Sequence, residues 1–193
     1  LAETGIRSIS WDEGTSSLII AYNNSNVDIL SASGIKNINA IKNSLQSGDK
    51  NIYSIFTLNN LAYLSAGIGI IVLDLKKYEI KDTYIIGSSG NKIKINAVSA
   101  DLNSLYAATA EGVKKAALNS PNLSDYRNWQ LISGTNGLPA GEAEQVATLN
   151  SQLIVVKKDS LFIQTGISWN FIYTDGWKIN KVDVADNKLL LSE

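Results

Sequence analysis

Short apolar runs broken by polar residues recur along the whole chain, and none sustains the 3.6-residue period of an amphipathic helix. Five segments overlay one another: SLIIAYNNSNVDIL, NLAYLSAGIGIIVLDL, SLYAATAEGVKKAAL, QLIVVKKDSLFIQTG and KLLLSE. They register on Leu18, Leu61, Leu105, Leu153 and Leu189, at intervals of 43, 44, 48 and 36 residues. Seven or eight residues beyond each of the first four leucines stands a turn residue, Asn26, Gly69, Gly112 or Ser160, followed at once by Val27, Ile70, Val113 or Leu161. That is the layout of a β-hairpin. Another short strand precedes each leucine (IRSIS, IYSIF, INAVS, EQVAT, INKVD), and a further one follows, clearest in NWQLIS and SWNFIY around Trp129 and Trp169.

Four short strands repeating every ~40–50 residues are the signature of a β-propeller, whose blades cannot bury both faces alone. The pattern predicts an all-β fold with almost no helix and about four and a half four-stranded blades. These are anchored near 6–50, 51–93, 94–142 and 143–178, with a partial unit at 179–193. The leucines and the two tryptophans then read as core between blades. At ~43 residues per blade a seven-bladed ring would need ~300 residues, so the expectation is part of a larger propeller. The first blade should bare an apolar face and KLLLSE an unpaired edge, features that promote self-association. The chain opens on Leu1 without a leader-like segment, and the expectation is a fragment or processed chain.

The most apolar run, LAYLSAGIGIIVLDL from Leu61 to Leu75, invites two other readings. A membrane span fails because fifteen residues fall short of the ~20 required and Asp74 lies within them. A phosphate-cradling Gly-x-Gly-x-x-Gly loop fails because Val72 takes the third glycine position and the following residues are β-branched rather than helical. The hairpin series explains Gly69.

Composition removes whole classes of chemistry. The chain contains neither Cys nor His, which eliminates disulfides, Cys/His zinc sites, thiol nucleophiles and Ser/His/Asp triads. Its net charge is −1 with two arginines, Arg7 and Arg127, so no electrostatic footprint for nucleic acid exists. SWDEGTSSL approaches the Ser-x-Asp-x-Gly-x-x-Trp box of sialidase propellers, but Ser17 stands at the tryptophan position, and Asp12 and Gly14 suit an ordinary turn. Glu142/Glu144 and Asp183/Asp186 are the carboxylate pairs close enough in sequence for glycoside hydrolysis, without supporting residues around them. No calcium loop occurs. Neither catalysis, cofactor nor metal is expected.

One constellation survives. GDKNIYSI, GNKIKINAV and GWKINKV place Lys50, Lys92 and Lys178 two residues after Gly48, Gly90 and Gly176, each where a new blade begins. Arg7 follows Gly5 at the same spacing, ahead of a longer turn, while the fourth blade breaks the series with Ala143 after Gly141. Equivalent positions in a propeller fall on one rim of the channel, with Tyr53, Asn96 and Lys181 expected near the channel wall. Loop lysines are by default solvated. The functional alternative is a positive mouth that focuses potential on an anion.

IAYNNSNVDIL, LAYLSAGIGIIVLDLKKYEIKDTYIIG, LYAATAEGV and LNSPNLSDYRNW together resemble the N-terminal propeller of PorZ-type proteins, surface components of the bacterial type IX secretion system. WQLISGTNGLPAGEAEQVATLNSQL more distantly resembles the two-component-regulator propeller repeat, whose blades are joined by an Asn-Gly-Leu-Pro-like stretch, here Asn136 to Pro139. The first resemblance implies two propellers followed by a sorting domain, of which these 193 residues show about four and a half blades. It also implies exposure at the outer membrane, association with the system's sortase and contact with an anionic lipopolysaccharide. The expected function is a non-catalytic binding and scaffold module. The alternative is a periplasmic propeller of a hybrid two-component regulator that senses an oligosaccharide.

Overall fold

The computed structural model describes residues 1–45 and 47–193. Four four-stranded antiparallel sheets and one two-stranded sheet follow one another, each with its strands side by side in chain order. Blade 1 comprises β1 (Ile6–Asp12), β2 (Ser17–Tyr22), β3 (Val27–Ser31) and β4 (Gly34–Ile38). Blade 2 comprises β5 (Ile52–Leu58), β6 (Leu61–Ala66), β7 (Gly69–Asp74) and β8 (Glu79–Tyr84). Blade 3 is β9 (Ile95–Ala100), β10 (Ser104–Thr109), β11 (Gly112–Ala117) and the short β12 (Gln130–Leu131). Blade 4 is β13 (Gln145–Leu149), β14 (Gln152–Lys157), β15 (Ser160–Thr165) and β16 (Ser168–Tyr173), and the two-stranded unit is β17 (Lys181–Ala185) with β18 (Lys188–Ser192). Helix among the described residues amounts to one turn at Ala40–Asn43 and a 3-10 turn at Tyr126–Asn128. The fold is a partial β-propeller.

Two compact units divide the chain, Leu1–Ile95 and Asn96–Glu193. In the first, one face of blade 1 (Ile19, Ala21, Val27, Ile29, Ile38) packs on Ala62, Leu64, Ala66, Ile71 and Leu73 of blade 2. In the second, β14 shows why central strands read as unbroken apolar runs. Leu153 and Val155 pack towards blade 3 with Tyr106, Val113 and Trp169, whereas Ile154 and Val156 pack towards the last unit with Ile179 and Val182. A strand covered on both faces loses the polar half of its alternation, as parallel strands of α/β sheets do for the same reason. Outer strands keep theirs: β4 (GIKNI) and β8 (EIKDTY) are exposed over their first four residues, and their charges discourage edge pairing.

The face of blade 1 opposite this core carries a row across all four strands, Trp11, Leu18, Leu30 and Ile35, set by the pairing register. Trp11 is 50% and Ile35 45% exposed. In the second unit Leu190 and Leu191 of β18 are also exposed.

Three hairpin turns fall two residues earlier than the sequence pattern places them. Gly67-Ile68, Ala110-Glu111 and Lys158-Asp159 form the turns, and Gly69, Gly112 and Ser160 open the third strands; Asn26 lies in its loop as expected. The glycines are required for a different reason. With φ of +136° and +131°, a Cβ at Gly69 would strike the Tyr84 carbonyl, and one at Gly112 the Ser133 hydroxyl. These positions let the chain leaving the outer strand pass against the hairpin.

Candidate anion-binding site

The joint between blades 1 and 2 is a polar loop whose carbonyls need donors, and two of the predicted lysines supply them. Lys50 Nζ donates to the carbonyls of Lys42 (3.1 Å) and Ser44 (3.0 Å), and Lys92 Nζ donates to that of Ser47 (2.7 Å). The Lys50 carbonyl in turn accepts from Ser25 Oγ at 2.8 Å, which ties the joint to the blade 1 hairpin. Lys50 and Lys92, 42 positions apart in sequence, thus converge on one loop.

Beside that loop stands Tyr53, the second residue of β5. Arg7, the second residue of β1, places its guanidinium carbon 5.1 Å from the Tyr53 ring centroid, and Lys94 Nζ lies 4.8 Å from it. Each distance is within reach of a cation–π interaction. The Tyr53 hydroxyl donates to Asp49 Oδ2. Burial disfavours the charged Asp49, but this hydrogen bond, the Asn51 N–H and the Arg7 charge outweigh it and hold the carboxyl below its usual value. The same bond, followed by burial, raises the Tyr53 phenol. Arg7 and Lys94 therefore share the ring of Tyr53, whose hydroxyl bonds Asp49, while Lys50 and Lys92 bond the carbonyls of the neighbouring loop. Lys94 was missed by the glycine-lysine spacing, although its alternation with Lys92 across Ile93 is visible in GNKIKINAV.

The second unit holds the other candidates in different roles. Asn96 Nδ2 donates to Glu142 Oε1 and to the Ala143 carbonyl, both at 2.9 Å, and so fixes the joint from blade 3 to blade 4. Lys181 Nζ lies 3.1 Å from Asp183 Oδ2 in a solvent-exposed pair of little energetic weight. Lys178 lines a cleft of about 370 Å³ with Glu144, Lys158, Asp159 and Gly176. Near it Lys157, buried, donates to the Gly141 carbonyl at 2.6 Å. Burial lowers its ammonium pKa, and the charges of Glu144 and Glu142 oppose the shift.

The carboxylate pairs fall in loops and turns of the scaffold. Glu142 accepts from Asn96, Glu144 Oε2 accepts the Lys158 N–H at 2.9 Å, Asp183 pairs with Lys181, and Asp186-Asn187 turn β17 into β18 with φ of +50° and +59°. Asp12 does the same: Oδ2 accepts from Thr15 N (2.8 Å) and Oγ1 (2.7 Å), closing the turn that the sialidase-like segment forms. Among the described residues no His/Cys/Asp/Glu group could hold a metal, and no helix is long and apolar enough to cross a membrane.

Successive four-stranded blades with cores on both faces define this protein as a β-propeller module. The profile of the PorZ N-terminal β-propeller domain of the type IX secretion system matches residues 1–130, and the chain belongs to that family. No curated protein sequence matches it. Among solved structures, PorZ of Porphyromonas gingivalis, described as an essential bacterial surface component of the type IX secretion system, superposes with a TM-score of 0.84 at 23% identity. That match covers 99% of this chain and 25% of PorZ. An extracellular domain from B. thetaiotaomicron, assigned to a hybrid two component system, gives 0.72 at 9% identity over 99% of this chain and 28% of the other. The Pan2 WD40 domain of Neurospora crassa gives 0.60 at 14%, covering 96% and 59%. At these identities the likeness shows the fold, and the chain spans about a quarter of the length of PorZ.

Proposed function

We propose that this chain is a non-catalytic binding and scaffold module of an exported, surface-exposed secretion component, and that the basic positions Arg7, Lys50 and Lys92 of its first unit take up an anionic glycan of the lipopolysaccharide type. One observation carries the reading: Arg7 and Lys94 both stand over Tyr53, next to the loop that collects Lys50 and Lys92. Cations set side by side focus a positive potential that favours an anionic ligand. Family membership supports the secretion context, and contact with a sortase complex belongs to the same proposal. The sensor alternative rests on the Asn136–Pro139 joint and on fold likeness, and takes second place.

The test is binding of the chain to lipopolysaccharide before and after chemical removal of its acidic groups, at ~50 and ~300 mM salt, where screening differs strongly. The K50E/K92E variant should lose about tenfold or more in affinity, a change of roughly 1.4 kcal/mol. Because Lys50 and Lys92 also hold the joint, Arg7→Gln serves as the milder variant and should weaken binding without lowering the melting temperature. Equal binding by all three proteins would refute the reading.

A further inference from the structure

The cleft beside blade 4 gathers charges of both signs. Three stretches of chain line it: Glu144 just ahead of β13, Lys158 and Asp159 in the β14–β15 turn, and Gly176 and Lys178 on the segment leading to β17. Its volume of about 370 Å³ lies in the range of small-ligand pockets. Two carboxylates and two ammonium groups around one cleft could neutralise one another, yet among the described residues no ion pair joins any of the four. Each carboxylate is held through one oxygen: Glu144 Oε2 accepts the Lys158 N–H, and Asp159 Oδ1 accepts from Ser160 Oγ, both at 2.9 Å. The neighbouring Lys157 directs its Nζ to the Gly141 carbonyl at 2.6 Å instead.

The backbone of Lys158 is unusual for its residue type, with φ of +59°. Apart from Tyr78, the other non-glycine residues with positive φ among the described ones are Ser, Asn or Asp, whose short polar side chains suit such turns. A lysine there is strained where an asparagine would be less so, and its exposed side chain gains no packing in return. Residues kept in such conformations cluster at ligand sites. The bond from Lys158 N–H to Glu144 fixes this turn, so one local device sets an ammonium group and a carboxylate at the same cleft. A Cβ on Gly176 would meet nothing within 4 Å, so bare backbone borders open space there.

We propose that this cleft binds a short peptide with both termini free, its ammonium group on Glu144 and Asp159 and its carboxylate on Lys178 and Lys158. A ligand of one sign would meet as much repulsion as attraction, whereas a zwitterion matches both pairs with charge-assisted hydrogen bonds. The carboxylates and Lys178 come from separate stretches of chain, so the two charges of the ligand must be set apart. A peptide provides that separation; a single amino acid, with both charges on one carbon, does not. The cleft lies in the second unit and shares no residue with the anion site of Arg7, Lys50 and Lys92.

The whole chain is titrated with L-Ala-L-Ala, with its N-acetyl, C-amide and doubly blocked forms, and with free L-alanine, followed by calorimetry and amide chemical shifts. The free dipeptide should saturate and move the amides of Lys158 and Asp159. Blocking either terminus should weaken it about tenfold or more, and alanine should bind about tenfold more weakly, since each loses charge-assisted hydrogen bonds. Lys178→Gln should weaken the dipeptide about threefold or more while leaving the C-amide form unchanged, and Asp159→Asn should do the same against the N-acetyl form. Lys158→Asn should weaken the dipeptide without lowering the melting temperature, because asparagine tolerates positive φ. Lys178→Gln should leave lipopolysaccharide binding intact and Arg7→Gln dipeptide binding intact, so failure of the anion reading and failure of this one are separable. The proposal is overturned if the dipeptide does not saturate, or if the doubly blocked form or alanine binds as well as it does. It is equally overturned if Lys178→Gln and Asp159→Asn leave the cost of blocking each terminus unchanged.

Discussion

Gly137→Ala tests how the Asn-Gly-Leu-Pro stretch joins one blade to the next. Residues 134–138 close on themselves, with Gly134 N donating to the Leu138 carbonyl (2.9 Å) and Leu138 N to that of Thr135 (3.1 Å). The stretch then docks on the outer strand of blade 4, where the Asn136 carbonyl accepts from Trp169 N at 2.7 Å. Leu138, 2% exposed, enters the same core as Trp169. Gly137 sits at φ +98°, and a Cβ there would come 2.5 Å from the Trp169 carbonyl oxygen. Strain of an L-residue at this φ costs about 1 kcal/mol. Moving the joint away weakens the Asn136–Trp169 hydrogen bond, worth about 0.5–1.5 kcal/mol, and uncovers part of Trp169 and Leu138, adding about 1 kcal/mol. The expected loss is about 2.5–3.5 kcal/mol. Gly141→Ala is the control, because Gly141 has a similar φ of +85° but nothing within 4 Å of the added carbon. It should cost about 1 kcal/mol, seen as a fall of about 2–4 °C in melting temperature for a chain of this size, with Gly137→Ala about three times larger. Urea and thermal unfolding followed by tryptophan fluorescence measure both. Equal losses, or a loss below 1 kcal/mol for Gly137→Ala, would refute the docking argument.

Asp28, fully buried, accepts from the Tyr22 hydroxyl (2.7 Å), Asn37 Nδ2 (2.8 Å) and the Ala2 N–H (2.7 Å). Burial opposes its charge, but these bonds prevail and its pKa is lowered. Its stabilisation is therefore present above the unfolded value near 4 and lost as pH falls through the folded one. Asp28→Asn should flatten the acid limb of stability against pH, and Tyr22→Phe should cost about 1.5–3 kcal/mol at neutral pH; an unchanged acid limb would contradict the assignment. Gln145 ties β13 to the last unit, Nε2 donating to the Asn180 carbonyl (2.5 Å) and Oε1 accepting Val182 N–H (2.9 Å). Gln145→Ala should accelerate amide hydrogen exchange over Val182–Leu191 while leaving β9–β12 protected, and uniform exchange across both would show that these bonds do not hold the unit.

The blades were legible because their causes are local. Hairpin turns, strand alternation and the leucine register repeat within each unit, and each requirement is met by neighbours in sequence. Lys50 and Lys92 could be singled out by spacing after glycine, yet spacing says nothing about what an ammonium touches. Their donation to carbonyls at 42, 44 and 47, the meeting of Arg7 and Lys94 over Tyr53, and the true purpose of Gly69 and Gly112 arise from chain segments brought together by folding. The cleft at Lys178 was invisible for the same reason, being made of a strand start, a hairpin turn and a linker. Sequence alone determined the all-β repeat and the positions of its strands, since those follow from the period-2 pleat and turn chemistry. Tertiary structure decided which charges share a neighbourhood, because electrostatic and hydrogen-bonding partners are set by distance in space.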